Sequence, residues 1–262
     1  MIEADREHLG WVLREAGPKG APHAVLLLPG ALATPAFYDD LLAQPTIRDA
    51  PIRFIATTLP GFGGTPPPDD LSMESYAQLA SRLVADLSCD VIVGHSLGAN
   101  VAIELASTRD FTGPLVLLSP SFSRKDESKF PRALDRLSRV FGHLPYSLML
   151  KVIGLAMKSS LPPARREALA NELKKNQPRF LRDQTRQYLA HLDRHGSLAK
   201  RFCDSATQAW VCSANGTTSA SPRTSERCSK RFPESGSSRS PTPDTSRSTR
   251  SPTKSQTSSS KP

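Results

Sequence analysis

The stretch Val91-Ile92-Val93-Gly94-His95-Ser96-Leu97-Gly98-Ala99-Asn100 is the most informative in the chain. Its first residues form an apolar run without alternation, the pattern of a strand covered on both faces. Gly-x-Ser-x-Gly follows at once, and apolar residues at 97, 101, 102, 105 and 106 then recur at helical spacing. Gly94 and Gly98 leave room for the backbone to fold sharply between strand and helix. Ser96 can then sit in a strained turn at a helix N-terminus, with its hydroxyl above the sheet edge and the Leu97 N–H beside it. The plainer reading of these residues is a Gly-rich turn whose serine caps the helix.

Working outward, Ala24–Leu28 and Leu115–Leu118 are two more apolar runs without alternation, with Asp90–Val93 resembling them. Arg53–Thr57 reads as a fourth strand and Trp11–Arg14 as an antiparallel edge strand. Helical stretches lie between them at Tyr38–Ala43, at Ser75–Leu87 with apolar positions 76, 79, 80, 83, 84 and 87, and at Leu97–Thr108. Strand and helix alternate, so the expected class is α/β, a mostly parallel sheet flanked by helices. Residues 124–200 differ in texture, being amphipathic, with Pro131, Pro145, Pro162, Pro163 and Pro178 near helix starts; they read as a helical insertion. Ala209–Cys212 returns to strand character. The expected division is 1–123 core, 124–200 helical cap, 201–212 return to the sheet and 213–262 tail.

The tail decides the charge. Of 262 residues, 38% are hydrophobic and 23% charged, with a net charge of +9, but residues 213–262 hold nine Lys and Arg against three acids. They also contain 16 Ser, 8 Thr and no Ile, Leu, Val or Met, a composition that cannot offset the entropy of ordering and is expected to be disordered. With the basic residues diluted by serine and Phe232 the only aromatic among them, no nucleic-acid partner is expected. The longest apolar run is too short to span a bilayer and the N-terminal residues lack a secretion signal, so a cytoplasmic chain without a membrane partner is expected. Cys89, Cys203, Cys212 and Cys228 are widely scattered with no metal-ligand spacing, so neither a disulfide framework nor structural zinc is expected.

Three segments, Leu-Leu-Leu-Pro-Gly at 26–30, Thr-Leu-Pro-Gly-Phe-Gly-Gly-Thr at 58–65 and Val-Gly-His-Ser-Leu-Gly-Ala at 93–99, together resemble the α/β-hydrolase fold superfamily over approximately residues 9–212. The resemblance implies that Ser96 is a nucleophile for an acyl carbonyl and that Leu97 donates one oxyanion N–H. The other donor is Ala31, or Leu32 if the loop is offset by one residue. It further implies that residues 124–200 are the cap that shapes a pocket for a small-molecule acyl substrate, and that the loop at 59–68 packs beside the site.

Family order then requires an acid and a histidine after the elbow. After Trp210 there is no histidine, and the remaining acids are Glu226, Glu234 and Asp244. His8 and His23 lie before or on early strands, His95 is expected to point away from Ser96 into supporting structure, and His143, His191 and His195 fall in the insertion. Asp126 is the one weak candidate for the acid. Read from each codon's third base with GC-rich codons, residues 211–220 can spell Val-Phe-Gly-Glu-Arg-Asp-Asp-Val-Gly, and residues 239–250 can spell Ile-Pro-Asp-Ala-Gly-His-Phe-Thr-Leu-Asn-Gln. The first resembles the family's strand-then-acid segment and the second its Gly-His segment, so the tail reads as a frameshift product that replaced the acid and base. The function that the resemblance implies is serine-nucleophile hydrolysis of an ester, thioester or related acyl substrate, without metal or organic cofactor, impaired in this chain. The alternatives are a non-catalytic remnant or small-ligand binder, or acyl transfer, C–C hydrolysis or cofactor-free peroxidation on the same fold. A sheet that stops at Cys212 should also leave apolar surface of the neighbouring strands, and of the helices Ser75–Leu87 or Leu97–Thr108, facing water.

Overall fold

Strand formation follows the apolar runs. In the computed structural model, which describes residues 4–156, 163–205 and 207–212, Ala24–Leu28 form the buried part of a strand and Ile92 and Gly94 the buried part of its neighbour. The strands are β1 (Arg6–His8), β2 (Trp11–Ala16), β3 (His23–Leu28), β4 (Ile52–Thr58), β5 (Val91–His95), β6 (Leu115–Leu118) and β7 (Ala209–Cys212). They form one sheet in the order β1-β2-β4-β3-β5-β6-β7. β2 runs antiparallel to β4 and β1 antiparallel to β2, while β4, β3, β5, β6 and β7 are mutually parallel. The parallel core is thus the one expected. The edge is not: Trp11–Arg14 belongs to β2, which is covered by β1, a polar Arg-Glu-His strand with no apolar signal to announce it.

Helices cover the two faces unequally. A 3-10 turn (Pro35–Tyr38), α1 (Asp39–Leu42) and α2 (Pro45–Arg48) follow β3, α3 (Met73–Leu87) follows β4, and α4 (Leu97–Ser107) follows β5. Ser72 caps α3 by accepting the Ser75 N–H, which starts that helix two residues before the expected Ser75. Met73, Tyr76, Ala80 and Leu83 of α3 pack with Val101, Leu105 and the β-strand residues Leu26, Ile92, Leu115 and Leu117 in one large core. On the other face, Ala16, Val25, Leu27, Leu42 and Ala56 form a small core, with Val91 and Val93 only partly covered. Of the apolar surface expected to face water, that of the helices is corrected, since Met73, Tyr76, Ala80 and Leu83 of α3 and every residue from Leu97 to Ala106 of α4 are buried, whereas that of the strands is partly open. The thinly covered surface lies on the opposite side and at the sheet end: Val91, Val93, Val116 and Leu118 are half-buried and Trp210 and Val211 exposed.

Between β6 and β7 run α5 (Lys129–Phe141), α6 (Leu144–Ala156), α7 (Pro163–Lys174), α8 (Pro178–His195) and α9 (Leu198–Asp204). Proline opens α7 and α8, where its missing N–H costs nothing. α9 is tied to the core by Arg201, which donates to both oxygens of the buried Glu104 on α4 at 2.7 and 2.9 Å. The expected tail, 213–262, lies outside the described residues, as does the frame-shifted reading of it. No helix among the described residues is long and apolar enough to cross a membrane.

Candidate active site

The turn between β5 and α4 has the strained geometry that its glycines permit. Ser96 has φ 50° and ψ −114°, a conformation that L-residues avoid and that differs from the extended backbone of a helix cap. Its hydroxyl makes no capping hydrogen bond. The turn is held instead through the backbone: the Ser96 N–H donates to Leu118 O at 2.9 Å, and Ser96 O accepts the N–H groups of Ala99 and Asn100. Two flanking glycines are required by contact. A Cβ on Gly94 would meet Ala99 Cα at 2.6 Å, and one on Gly98 would meet Leu28 O at 2.3 Å.

The Leu28-Pro29-Gly30-Ala31-Leu32 turn stands against this elbow. A Cβ on Gly30 would lie 3.3 Å from Ser96 Cβ and 2.9 Å from His95 Nδ1. Ala31, next in the chain, is exposed, and Leu32 takes φ 70°. Leu97 is buried at the first position of α4, where a helix leaves its N–H unpaired. His95 differs from expectation: the residue is exposed and its ring stands against Gly30 instead of entering the supporting structure. Partial desolvation there moves its pKa below the ordinary histidine value.

Two further segments border the elbow. Asn100, fully buried on α4, donates from its amide to Ser121 O at 2.6 Å and accepts the Ser121 N–H at 3.1 Å. The loop after β4 reaches the insertion: Phe62 meets Phe180 of α8 edge-to-face with centroids 5.0 Å apart, and Asn176 accepts the Gly63 N–H at 3.0 Å. Gly61, at φ 90°, has no room for a Cβ beside the Phe180 ring. Asn100, Asn176 and Phe180 were not singled out from the sequence. The signal for Asn100 was present, since an asparagine inside a fully apolar helix start needs a buried partner.

The acid and the base are a different matter. Asp126 is spent on its own turn, where Oδ2 accepts the N–H groups of Phe122 and Ser123 at 3.1 and 2.8 Å and the Ser123 hydroxyl at 3.1 Å. Among the described residues no histidine forms a hydrogen bond with Ser96 or Asp126. His8 faces Asp86, and His23 faces Asp90. His191, 1% exposed, lies between Glu74 of α3 at 3.5 Å and Glu104 of α4 at 3.7 Å, and neither ring nitrogen has a hydrogen-bond partner. Glu74, His191 and His195 place one potential ligand atom each within 4.8 Å of the others. Two cations already hold that cluster, Arg194 at 2.8 Å from Glu74 and Arg201 at 3.2 Å from His195, which disfavours a metal ion there.

Comparison with known proteins agrees with this architecture. A mutant of the N-acyl homoserine lactonase AidH complexed with N-hexanoyl homoserine has a TM-score of 0.61 and 18% identity over 81% of this chain and 78% of that one. A variant of AqdC, described in the recognition and ring-cleavage of the Pseudomonas quinolone signal, gives 0.65 and 16% over 89% and 88%. A carboxylesterase structure from the ammonia-oxidizing Thaumarchaeon Nitrososphaera gargenis gives 0.60 and 17% over 86% and 83%. No curated protein sequence matches significantly. At these identities the structures speak for the fold alone, but the pattern of the Alpha/beta hydrolase family matches the sequence itself over residues 25–226, from β3 through the elbow and past β7, and the chain belongs to that family.

Proposed function

We propose that the chain is a serine hydrolase of an ester, thioester or related small acyl substrate, with Ser96 as nucleophile and the N–H groups of Leu97 and Ala31 as oxyanion donors. The observation that carries this reading is the backbone of Ser96: a non-glycine residue at φ 50° whose hydroxyl caps nothing is strain without a structural return, as at a nucleophile. Attack by the Ser96 hydroxyl on the acyl carbon would form the tetrahedral intermediate. Its oxygen would gather charge beside the first N–H of α4 and the turn at Gly30–Leu32. The Phe62–Phe180 contact supports a role for α8 and its neighbours as a cap over the loops that border Ser96.

No described histidine is in place to take the Ser96 proton, so turnover is proposed to be feeble. An oxyanion site without its triad retains a residual acceleration. The same observation favours the second reading, a remnant that binds a small ligand without turning it over. The AqdC likeness keeps a third reaction class, ring cleavage on this scaffold, within the set to be assayed. A fluorophosphonate probe followed by peptide mass spectrometry, together with hydrolysis of a short-chain aryl ester, tests the proposal. It holds if the adduct maps to Ser96 and Ser96→Ala removes the measured rate. A rate unchanged by Ser96→Ala would end it.

A further inference from the structure

Exposed apolar side chains are concentrated in one place. Of eleven large hydrophobic residues exposed among the described residues, seven lie on the consecutive helices α5 and α6, and Val140 is the most open at 77%. On a 3.6-residue helix, Phe130, Leu137, Val140 and Phe141 fall within an arc of about 100°, while Leu134 and Ser138 turn to the core. Leu144 and Leu148 continue the apolar surface at i, i+4 spacing on α6.

The charges beside this surface have one sign. Residues 129–153 contain Lys129, Arg132, Arg136, Arg139 and Lys151 against a single acid, Asp135. Asp135 is 3% exposed and is held by Arg139 at 3.1 Å and Arg186 at 3.2 Å, so it offers nothing to a partner. Lys129, Arg136 and Lys151 are exposed and form no ion pair among the described residues. Two occupants are disfavoured by composition. A second copy would bring the same cations onto these, and residues 213–262 of this chain carry nine Lys and Arg and no Ile, Leu, Val or Met with which to cover an apolar face.

We propose that the α5–α6 face docks on an anionic lipid surface, with α5 lying in the plane of the interface. An amphipathic helix with bulky apolar residues on one side and Lys and Arg alongside gains both from burying its side chains among the acyl chains and from attraction to anionic headgroups. No spanning helix is needed. The expectation of no membrane partner rested on the absence of a spanning run and does not reach this mode of binding.

The full chain is tested by flotation with phosphatidylcholine vesicles, with and without a quarter of phosphatidylglycerol. Binding is expected with phosphatidylglycerol, weaker at high salt, and at least about tenfold weaker for V140S/F141S/L144S. Leu41→Ser, an exposed apolar residue on α1, serves as the control and should bind unchanged. Circular dichroism checks the fold of each variant, and Val140→Trp supplies an independent readout: its emission should shift to the blue with phosphatidylglycerol vesicles. Binding retained in full by the folded triple variant would place the contact in the basic tail and overturn the proposal. So would absent vesicle binding combined with self-association that the triple variant abolishes, or absence of binding altogether.

Discussion

Asn100 and Ser121 clasp one another through both ends of the Asn100 amide, at 2.6 and 3.1 Å, with neither residue open to solvent. The clasp joins the first turn of α4, four residues beyond Ser96, to the loop that leaves β6. Ser121 in turn donates its hydroxyl to Glu127 at 2.6 Å, and Tyr188 of α8 donates to the same oxygen at 2.7 Å, so the elbow is linked to the insertion by three hydrogen-bonded steps. Asn100→Ala would leave the Ser121 N–H and C=O buried without partners, at a cost of about 2–4 kcal/mol. Urea denaturation should show this as a lower midpoint at unchanged slope; an unchanged midpoint would mean that the clasp is not formed.

Strain at Ser96 should be recoverable. Glycine adopts φ 50° freely, so Ser96→Gly is expected to relieve about 1–3 kcal/mol, less the ~0.5–1 kcal/mol entropy cost of glycine. The expected result is a melting temperature above that of Ser96→Ala, which keeps the strain, with hydrolysis lost in both. Equal melting temperatures would show that the elbow is relaxed.

Gly98 offers the opposite case. Its missing Cβ is required by a backbone oxygen, Leu28 O, 2.3 Å from where that Cβ would stand, and backbone cannot swing aside as a long side chain can. Gly98→Ala is expected to separate β3 from α4 and to yield little soluble protein. Val101→Ala on the same helix, a deletion of two buried methyl groups, should cost only about 1–3 kcal/mol and remain soluble.

His191 should set part of the acid limit of stability. Burial pushes its pKa below the ordinary value of 6.5, against the opposing pull of Glu104 and Glu74, while His195 and Arg201 push it the same way as burial and Arg194 stands on Glu74. A histidine whose folded pKa is depressed contributes stability above its unfolded pKa and loses it as the pH falls. Stability should therefore decline from pH 7 toward pH 5, and His191→Gln should flatten that decline by up to the one-proton limit of about 1.4 kcal/mol per pH unit. A parallel pH profile in the variant would assign the decline to other groups.

At the far end of the sheet, the outer edge of β7 has no strand partner among the described residues, and Trp210 and Val211 are exposed on it. Such an edge is a template for intermolecular pairing. Val211→Lys should reduce light scattering on heating. A chain rebuilt in the alternative reading frame after Val211, which would supply the proposed acid and histidine, should melt higher and hydrolyse acyl esters faster. Equal melting temperatures and equal rates would remove the frameshift account.

Much of this was legible in the residues. The unbroken apolar runs of β3, β5 and β6 announced a parallel sheet because a strand covered on both faces has no polar side to alternate with, and Gly-x-Ser-x-Gly announced the elbow because only glycine fits where backbone meets backbone. Residue spacing is a local quantity, however, and what depended on distant partners was decided by the tertiary structure. The polar strand β1 exists through pairing with β2, and Asp126 is turned inward by the N–H groups of its own turn. His191 is enclosed by carboxylates from two other helices. The covered face of the sheet lies over α3 and α4 and the thin one over Val91, Val93 and Val116, because which side a helix takes is set by how the connections cross the sheet, and side-chain periodicity does not encode that.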